Sequence, residues 1–238
     1  MIRKALLIGA PGDDLPGVTK DIANLKDFLL SDAGGAWESR EIETLIDPSR
    51  ILVDSKLSAL SLSDYSFVFF AGHGRHHVER NMTQLQLRTN VHIEVSDIIQ
   101  AGASKHSVVV DACRVLHSQI AMDSLTESMT KAASQFSISN SRQLFDSHLK
   151  KCDPGVVELY ACDLNETASE DSSRGGLYTS SLIGTGKNWC ARSQNGQVLS
   201  IKQAHELGSI KVKRVSNNRQ NPVAVYPRSL LHFPFAVK

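Results

Sequence analysis

Two short stretches end in side chains able to do nucleophilic chemistry. "FFAGHG" (69–74) runs from aromatic residues into His73, set between Gly72 and Gly74. "SVVVDACR" (107–114) runs from three valines into Asp111 and Cys113. A thiol is mostly protonated at neutral pH, and a nearby imidazole raises its thiolate fraction, as a cysteine nucleophile requires. Glycines beside His73 let a substrate backbone come close, and the amides of Gly74 and Cys113 are suited to holding an oxyanion. Taken singly, His73 reads as a turn residue and Cys113 as a small core hydrophobe. Two such residues, each closing an apolar strand, favour the chemical reading.

The elements that must position them alternate between strand and helix. "KALLIGA" (4–10) reads as a buried first strand. "GVTKDIANLKDFLLSD" has Val18, Ile22, Leu25, Phe28 and Leu29 at helical spacing. "REIETLID" and "SRILVDSKLSALS" repeat the strand–helix pair. "YSFVFFAGHG" is a third apolar strand, "TQLQLRT" alternates like a half-exposed hairpin strand, and "EVSDIIQAG" is a short helix. After "HSVVVDAC" come a further buried strand in "GVVELYACD", a helix start in "GGLYTSSLIGTG", a basic-faced helix in "SIKQAHELGSIKVKRV", and a late strand in "NPVAVYP". This pattern predicts an α/β fold over 1–238 as a single domain: an open, mostly parallel sheet of about six strands with helices on both faces. In such sheets functional groups gather at the carboxyl ends of the strands. His73 and Cys113 are separated by one hairpin and one helix, a span that suits neighbouring parallel strands.

Composition narrows the partners. With 238 residues, 41% hydrophobic, 21% charged and a net charge of +1, the chain offers no electrostatic case for nucleic acid or an anionic membrane. No apolar run approaches the roughly 20 residues of a spanning helix. The start, "MIRKALLIGAPGDD", lacks a long apolar leader segment. Four cysteines (Cys113, Cys152, Cys162, Cys190) do not make a disulfide framework, so a reducing cytoplasm is expected. Cys152, Cys162 and Cys190 have no CxxC spacing and read as packing or surface thiols. His76 and His77 are adjacent, with no Cys or carboxylate at a zinc spacing, and "GTGKN" is not a phosphate loop. No metal or cofactor is expected.

These residues resemble the caspase-like cysteine peptidases, and within them the metacaspase and prokaryotic branch. "FVFFAGHG" is similar to the family's histidine strand and "VVVDACR" to its nucleophile strand. The likeness extends to "GVTKDIANLKDFL", to "LYACDLNETASE" with "GGLYTSSL", and to "QNPVAVYPRSLLHFPF", so it covers nearly the whole chain in order. It implies Cys113 as nucleophile and His73 as general base and acid, with Gly74 and Cys113 amides at the oxyanion.

The resemblance also bears on specificity. The caspase signature has Gln two residues before the nucleophile, within a pocket whose arginines accept aspartate; here that position is Asp111. Where caspases carry a pocket Arg before the position of Asp21, this chain has "DDLPG". In metacaspases the positions of Asp21 and Asp111 form an acidic pocket floor, and Asp163 falls near a further pocket position. Converging carboxylates call for a cation, and a substrate Arg, then Lys, supplies it. The plain alternative for Asp21 is a cap on its own helix. Past Cys113 the chain reads "CRVLHS" rather than the metacaspase Cys-His-Ser-Gly, and no acid cluster follows to hold activating calcium. For Arg114 two readings stay open, an answer to Asp111 or a solvent-facing side chain.

Residues 114–154 are the least sheet-like stretch, rich in Ser, Gln and Lys, and read as a flexible processing segment. Lys131, Arg142, Lys150 and Lys151 are the candidate cut positions, with Arg142 preferred. The expected activity is endoproteolysis after Arg or Lys, on protein or peptide substrates. At this length no prodomain or sensor is expected. Control of such a zymogen-like chain is therefore expected from an activating protease or regulatory protein, and the resemblance suggests prokaryotic cell death or defence. Two rivals are a non-catalytic caspase-like module that binds basic peptides or a partner, and a small-molecule hydrolase or transferase with the same dyad.

Overall fold

The computed structural model describes residues 1–116 and 138–238. The chain opens with β1 (Arg3–Ala10), α1 (Gly17–Leu30), β2 (Ile42–Ile46) and α2 (Arg50–Ser58). Next come β3 (Tyr65–Gly72), three short strands β4 (Gly74–His77), β5 (Met82–Arg88) and β6 (Val91–Glu94), then α3 (Val95–Gln100) and β7 (Lys105–Asp111). They are followed by β8 (Val115–Leu116), α4 (Ile138–Lys151), β9 (Gly155–Tyr160), and the two-residue strands β10 (Glu170–Asp171) and β11 (Gly175–Gly176). The chain closes with α5 (Leu177–Arg192), β12 (Val198–Ser200), α6 (Ile201–Val215), β13 (Val223–Val225) and β14 (Pro234–Val237).

The main sheet has six strands in the order β13-β9-β7-β3-β1-β2. All neighbours are parallel except β13, which runs antiparallel to β9 at the edge. β1, β3 and β7 are buried along almost their whole length, which is why they read as continuous apolar runs rather than alternating ones. Their side chains nevertheless sort by parity. Ala5, Leu7, Phe67, Phe69 and Val109 join a core with Phe28 of α1, Phe145 of α4, and Tyr178 and Leu182 of α5. Leu6, Ile8, Val68, Phe70, Val108 and Val110 join the opposite core, with Val53 and Leu57 of α2 and Ile98 of α3. Helices therefore cover both faces, and the sheet is the α/β arrangement expected from the alternation.

The small strands β6-β5-β4-β8 form a second sheet beside the end of β3. It fills the span between the two chemical strand ends, and its buried Leu85, Leu87 and Ile93 tie it to the second core.

One expectation needs correction. Residues 138–151, read as part of a structureless processing segment, form helix α4. Its Phe145 and Leu149 are buried in the first core, with Phe145 edge-on to Trp37 at 6.0 Å between ring centroids. Arg142, the preferred cut position, donates to both carboxylate oxygens of Glu41 at 2.8 and 2.6 Å and to the Ala36 carbonyl at 3.2 Å. A peptidase needs extended backbone, so a cut there requires this helix to unwind and the ion pair to break. Lys150 and Lys151 sit exposed in the last turn of α4, while Lys131 lies outside the described residues.

Candidate active site

Register brings the two chemical groups to one place. β3 and β7 are paired up to Ala71 opposite Asp111, and His73 and Cys113 each follow two residues later. They therefore leave adjacent strands at the same level of the carboxyl edge. Gly74 starts β4 against the same point: a Cβ there would stand 2.6 Å from the Cys113 carbonyl oxygen and 2.9 Å from Ala112 Cβ. Only glycine lets the two backbones approach so closely. His73 Nε2 lies 3.0 Å from each carboxylate oxygen of Asp14, in the turn between β1 and α1.

The thiol of Cys113 is half-buried and meets the backbone of Ala168: the Ala168 N–H donates to Sγ at 3.4 Å, and Sγ approaches the Ala168 carbonyl at 3.8 Å. Burial pushes this thiol up. The Ala168 amide works against that push, while the negative fields of Asp111 and Glu170 add to it. The segment carrying Ala168 is pinned from behind. Buried Gln220 donates to the Ala161 carbonyl and accepts from the Ser169 amide, and Glu166 accepts twice from Asn221.

Asp21 and Asp111 are brought together. Asp21 lies on the buried face of α1, 2% exposed, and takes no part in capping, since the N-cap position is Pro16 and the helix has no side-chain cap. Both its oxygens accept from the Gly176 amide, at 2.9 and 2.8 Å. Asp111, 6% exposed, accepts from the backbone N–H of Thr179 at 3.0 Å and from its hydroxyl at 2.5 Å, at the start of α5. The glycine pair of β11 separates the two acids. A Cβ on Gly175 would fall 2.1 Å from Asp21 Oδ1, and one on Gly176 would fall 2.2 Å from Asp111 Oδ2. Gly175 also has φ +88, which side-chain-bearing residues rarely adopt. No other residue type fits between these carboxylates.

Burial lifts both acids. Asp21 stands well above the ordinary carboxylate range, first through burial and then through the charge of Asp111, against the Gly176 hydrogen bond. Asp111 is raised by burial against its two bonds from Thr179.

Asp163 does not join them. It is exposed at a turn, and its carboxylate accepts from the Leu164 amide at 2.7 Å. The third acid is Glu170, on β10, which the sequence reading missed. Its carboxylate receives the Gly17 amide at the start of α1, and burial followed by Asp111 and Asp14 raises it. Its sequence context, "TASEDSSRGG", has no periodicity to place it; only the pairing of β10 with β11 does.

Arg114 follows neither open reading. Its guanidinium stacks 4.2 Å over the Tyr160 ring, and its Nε donates to Thr83. His76 Nδ1 sits 3.2 Å from Thr83 Oγ1. Among the described residues no group of three or more His, Cys, Asp or Glu could hold a metal ion, and no helix is long and apolar enough to cross a membrane.

The sheet, parallel but for edge strand β13, carries His73 and Cys113 just past the carboxyl ends of neighbouring strands, an arrangement that fits the caspase-type peptidases. The Peptidase_C14 family model, described as the caspase domain, matches residues 2–229, and the chain belongs to that family. It is a caspase-like cysteine peptidase. Among solved structures, caspase-1 from Spodoptera frugiperda is similar with a TM-score of 0.58 and 12% identity, over 94% of this chain and 86% of that one. At that identity the likeness establishes the fold. No curated protein matches the sequence.

Proposed function

We propose that the protein is an endopeptidase that cleaves after Arg, and less readily after Lys, through Cys113 and His73. His73 takes the proton from Cys113 Sγ, and the thiolate attacks the scissile carbonyl. Amides of Gly74 and Cys113 receive the oxyanion. His73 then gives its proton to the leaving amine as the C–N bond breaks, leaving a thioester. Water, activated by the same imidazole, hydrolyses the thioester and returns the thiol.

The observation that carries the specificity is the acidic group beside the nucleophile. Asp21 and Asp111 flank the β11 glycines, Glu170 lies next to them, and no Arg or Lys is hydrogen-bonded or ion-paired to any of the three among the described residues. Asp21 and Asp111 are buried together without a cation, which is costly, Glu170 beside them is half-buried, and a guanidinium entering the group gains charge-assisted hydrogen bonds. Arg fits better than Lys because its planar fork can engage two acceptors. Aspartate, the residue accepted by arginine-lined caspase pockets, is repelled here.

Control by processing or by a partner remains part of this reading, with Lys131, Lys150 and Lys151 as cut positions; a cut at Lys150 or Lys151 requires the last turn of α4 to unwind. Four free cysteines suit a reducing cytoplasm. A peptide-library cleavage profile tests the proposal. Cleavage concentrated after Arg supports it, and cleavage after Asp, or of non-peptide esters only, overturns it.

A further inference from the structure

The second nitrogen of His73 has a partner of its own, and that partner decides which nitrogen is free for chemistry. Nε2 lies 3.0 Å from both carboxylate oxygens of Asp14. An ionised carboxylate only accepts, so in the neutral ring Nε2 carries the proton and Nδ1 keeps its lone pair. The glycines on either side of His73 do little to restrain it: Gly72 has φ +153, and neither neighbour has a side chain to pack against the ring. Orientation of the imidazole must come from another element.

Asp14 is built to supply it. The turn that carries it is closed by the Leu15 N–H donating to the Pro11 carbonyl at 2.9 Å and the Val18 N–H donating to the Leu15 carbonyl at 3.1 Å. Leu15 is buried and anchors the turn in the first core. Asp14 does not cap α1, whose N-cap position is Pro16, with no side-chain cap. Its side chain is 60% exposed, so as a surface ion pair it would add little to stability.

We propose that Asp14 is a positioning residue for His73. It holds the ring by Nε2, fixes the tautomer with Nδ1 as the base, and faces the imidazolium formed when Nδ1 accepts the Cys113 proton. Asp14 keeps its own charge throughout; the proton passes from Sγ to Nδ1 and then to the leaving amine. This rests on the dyad reading above.

The test uses the full chain and an Arg-containing fluorogenic peptide, with iodoacetamide alkylation of Cys113 as a second readout. Asp14→Asn and Asp14→Ala should lower kcat roughly 10–100-fold with KM little changed, at most the bottom of the roughly 100- to 10,000-fold that positioned proton transfer contributes. Asp14→Glu should recover part of the loss, Asp13→Asn should lose nothing, and Tm should stay near wild type in all four. Asp14→Asn should slow alkylation in the wild-type background and have no further effect in His73→Ala. Unchanged kcat in Asp14→Asn, while His73→Ala is inactive, leaves the dyad standing and reduces Asp14 to a surface ion pair. Equal slowing of alkylation in the His73→Ala background shows that Asp14 does not act through His73. If His73→Ala itself keeps wild-type turnover, the dyad reading fails and takes this proposal with it.

Discussion

Replacing Asp111 by Asn changes one atom of the proposed pocket and keeps its shape, so it isolates what the carboxylate contributes. In the folded protein Oδ2 of Asp111 is already occupied by the Thr179 amide and hydroxyl. An asparagine keeps that arrangement by turning its carbonyl oxygen toward Thr179. Its NH2 then takes the place of Oδ1, the oxygen left for a substrate. An entering guanidinium therefore meets a donor where it had a charged acceptor, and one member of the acidic group is lost at the same time. A hydrogen bond to a charged group contributes about 1.5–3 kcal/mol, and truncating one side of a desolvated charge pair costs about 2–5 kcal/mol. A loss of about 2–4 kcal/mol in transition-state binding corresponds to a fall of roughly 30- to 1000-fold in kcat/KM on Arg peptides. The loss should be smaller on Lys peptides, which do not use a paired acceptor. The assay is kcat/KM on matched Arg and Lys fluorogenic peptides, with thermal melting to confirm the fold. Equal kcat/KM for variant and wild type on the Arg peptide would remove Asp111 from the pocket and with it the charge argument.

The remaining predictions concern the same site. Cys113→Ala should abolish peptide cleavage with Tm unchanged, and His73→Ala should lose several orders of magnitude, as nucleophile–base units do; wild-type turnover in either variant refutes the assignment. Glu170→Gln should act in opposite directions on two readouts. Iodoacetamide should alkylate Cys113 faster, because one of the fields pushing the thiol up is removed, while kcat/KM on Arg peptides falls; parallel changes would separate Glu170 from the thiol or from the pocket. Asp21→Asn should raise Tm at neutral pH while reducing Arg cleavage. The fold holds the Asp21 carboxyl above its unfolded value, so wild-type stability is fully present below about pH 4 and is lost as pH rises through the raised value. The Tm advantage of Asp21→Asn should thus appear on raising the pH and vanish in acid, and a difference independent of pH would show that ionisation of Asp21 is not its source.

The parts of this protein legible in its sequence are those where burial is continuous. "YSFVFF" and "SVVV" lie in strands covered on both faces, so their apolar runs are long enough to read and their ends fall where chemistry is expected. Helix α1 was legible because Val18, Ile22, Leu25, Phe28 and Leu29 make one buried stripe. Helix α4 was missed because its apolar face is narrow. Phe145 and Leu149 carry it, and the polar residues of "ISNSRQLFDSHLKK" dominate its composition. What ordered it was tertiary: the face packs toward Trp37, and Arg142 reaches Glu41 from far along the chain. Strand-end reasoning also has a short range. It placed Asp111 and Cys113, within two residues of the last ladder pair, and failed at Asp163, three residues past β9, where the chain turns outward. Glu170 on the two-residue strand β10 and Asp14 in the β1–α1 turn stand in polar stretches, and only long-range packing brings them to the sheet edge.

Glu170 and Asp111 together alter how the site works in the proposed reading. Burial pushes the Cys113 thiol up first, and two of the acids that would select a basic side chain, Asp111 and Glu170, add their charge to that push. Ala168, against the thiol, and Glu170, beside the pocket, are two residues apart on one segment, so sulfur and acids share a support. With the pocket empty, deprotonating Cys113 places another negative charge near Asp111 and Glu170. A guanidinium bound among these acids offsets their field, and transfer of the thiol proton to His73 becomes easier at the moment a scissile bond is in place. Neutral or acidic side chains provide no such offset. Discrimination by this site would therefore fall partly on kcat rather than on KM alone, because the cation both occupies the pocket and eases formation of the nucleophile.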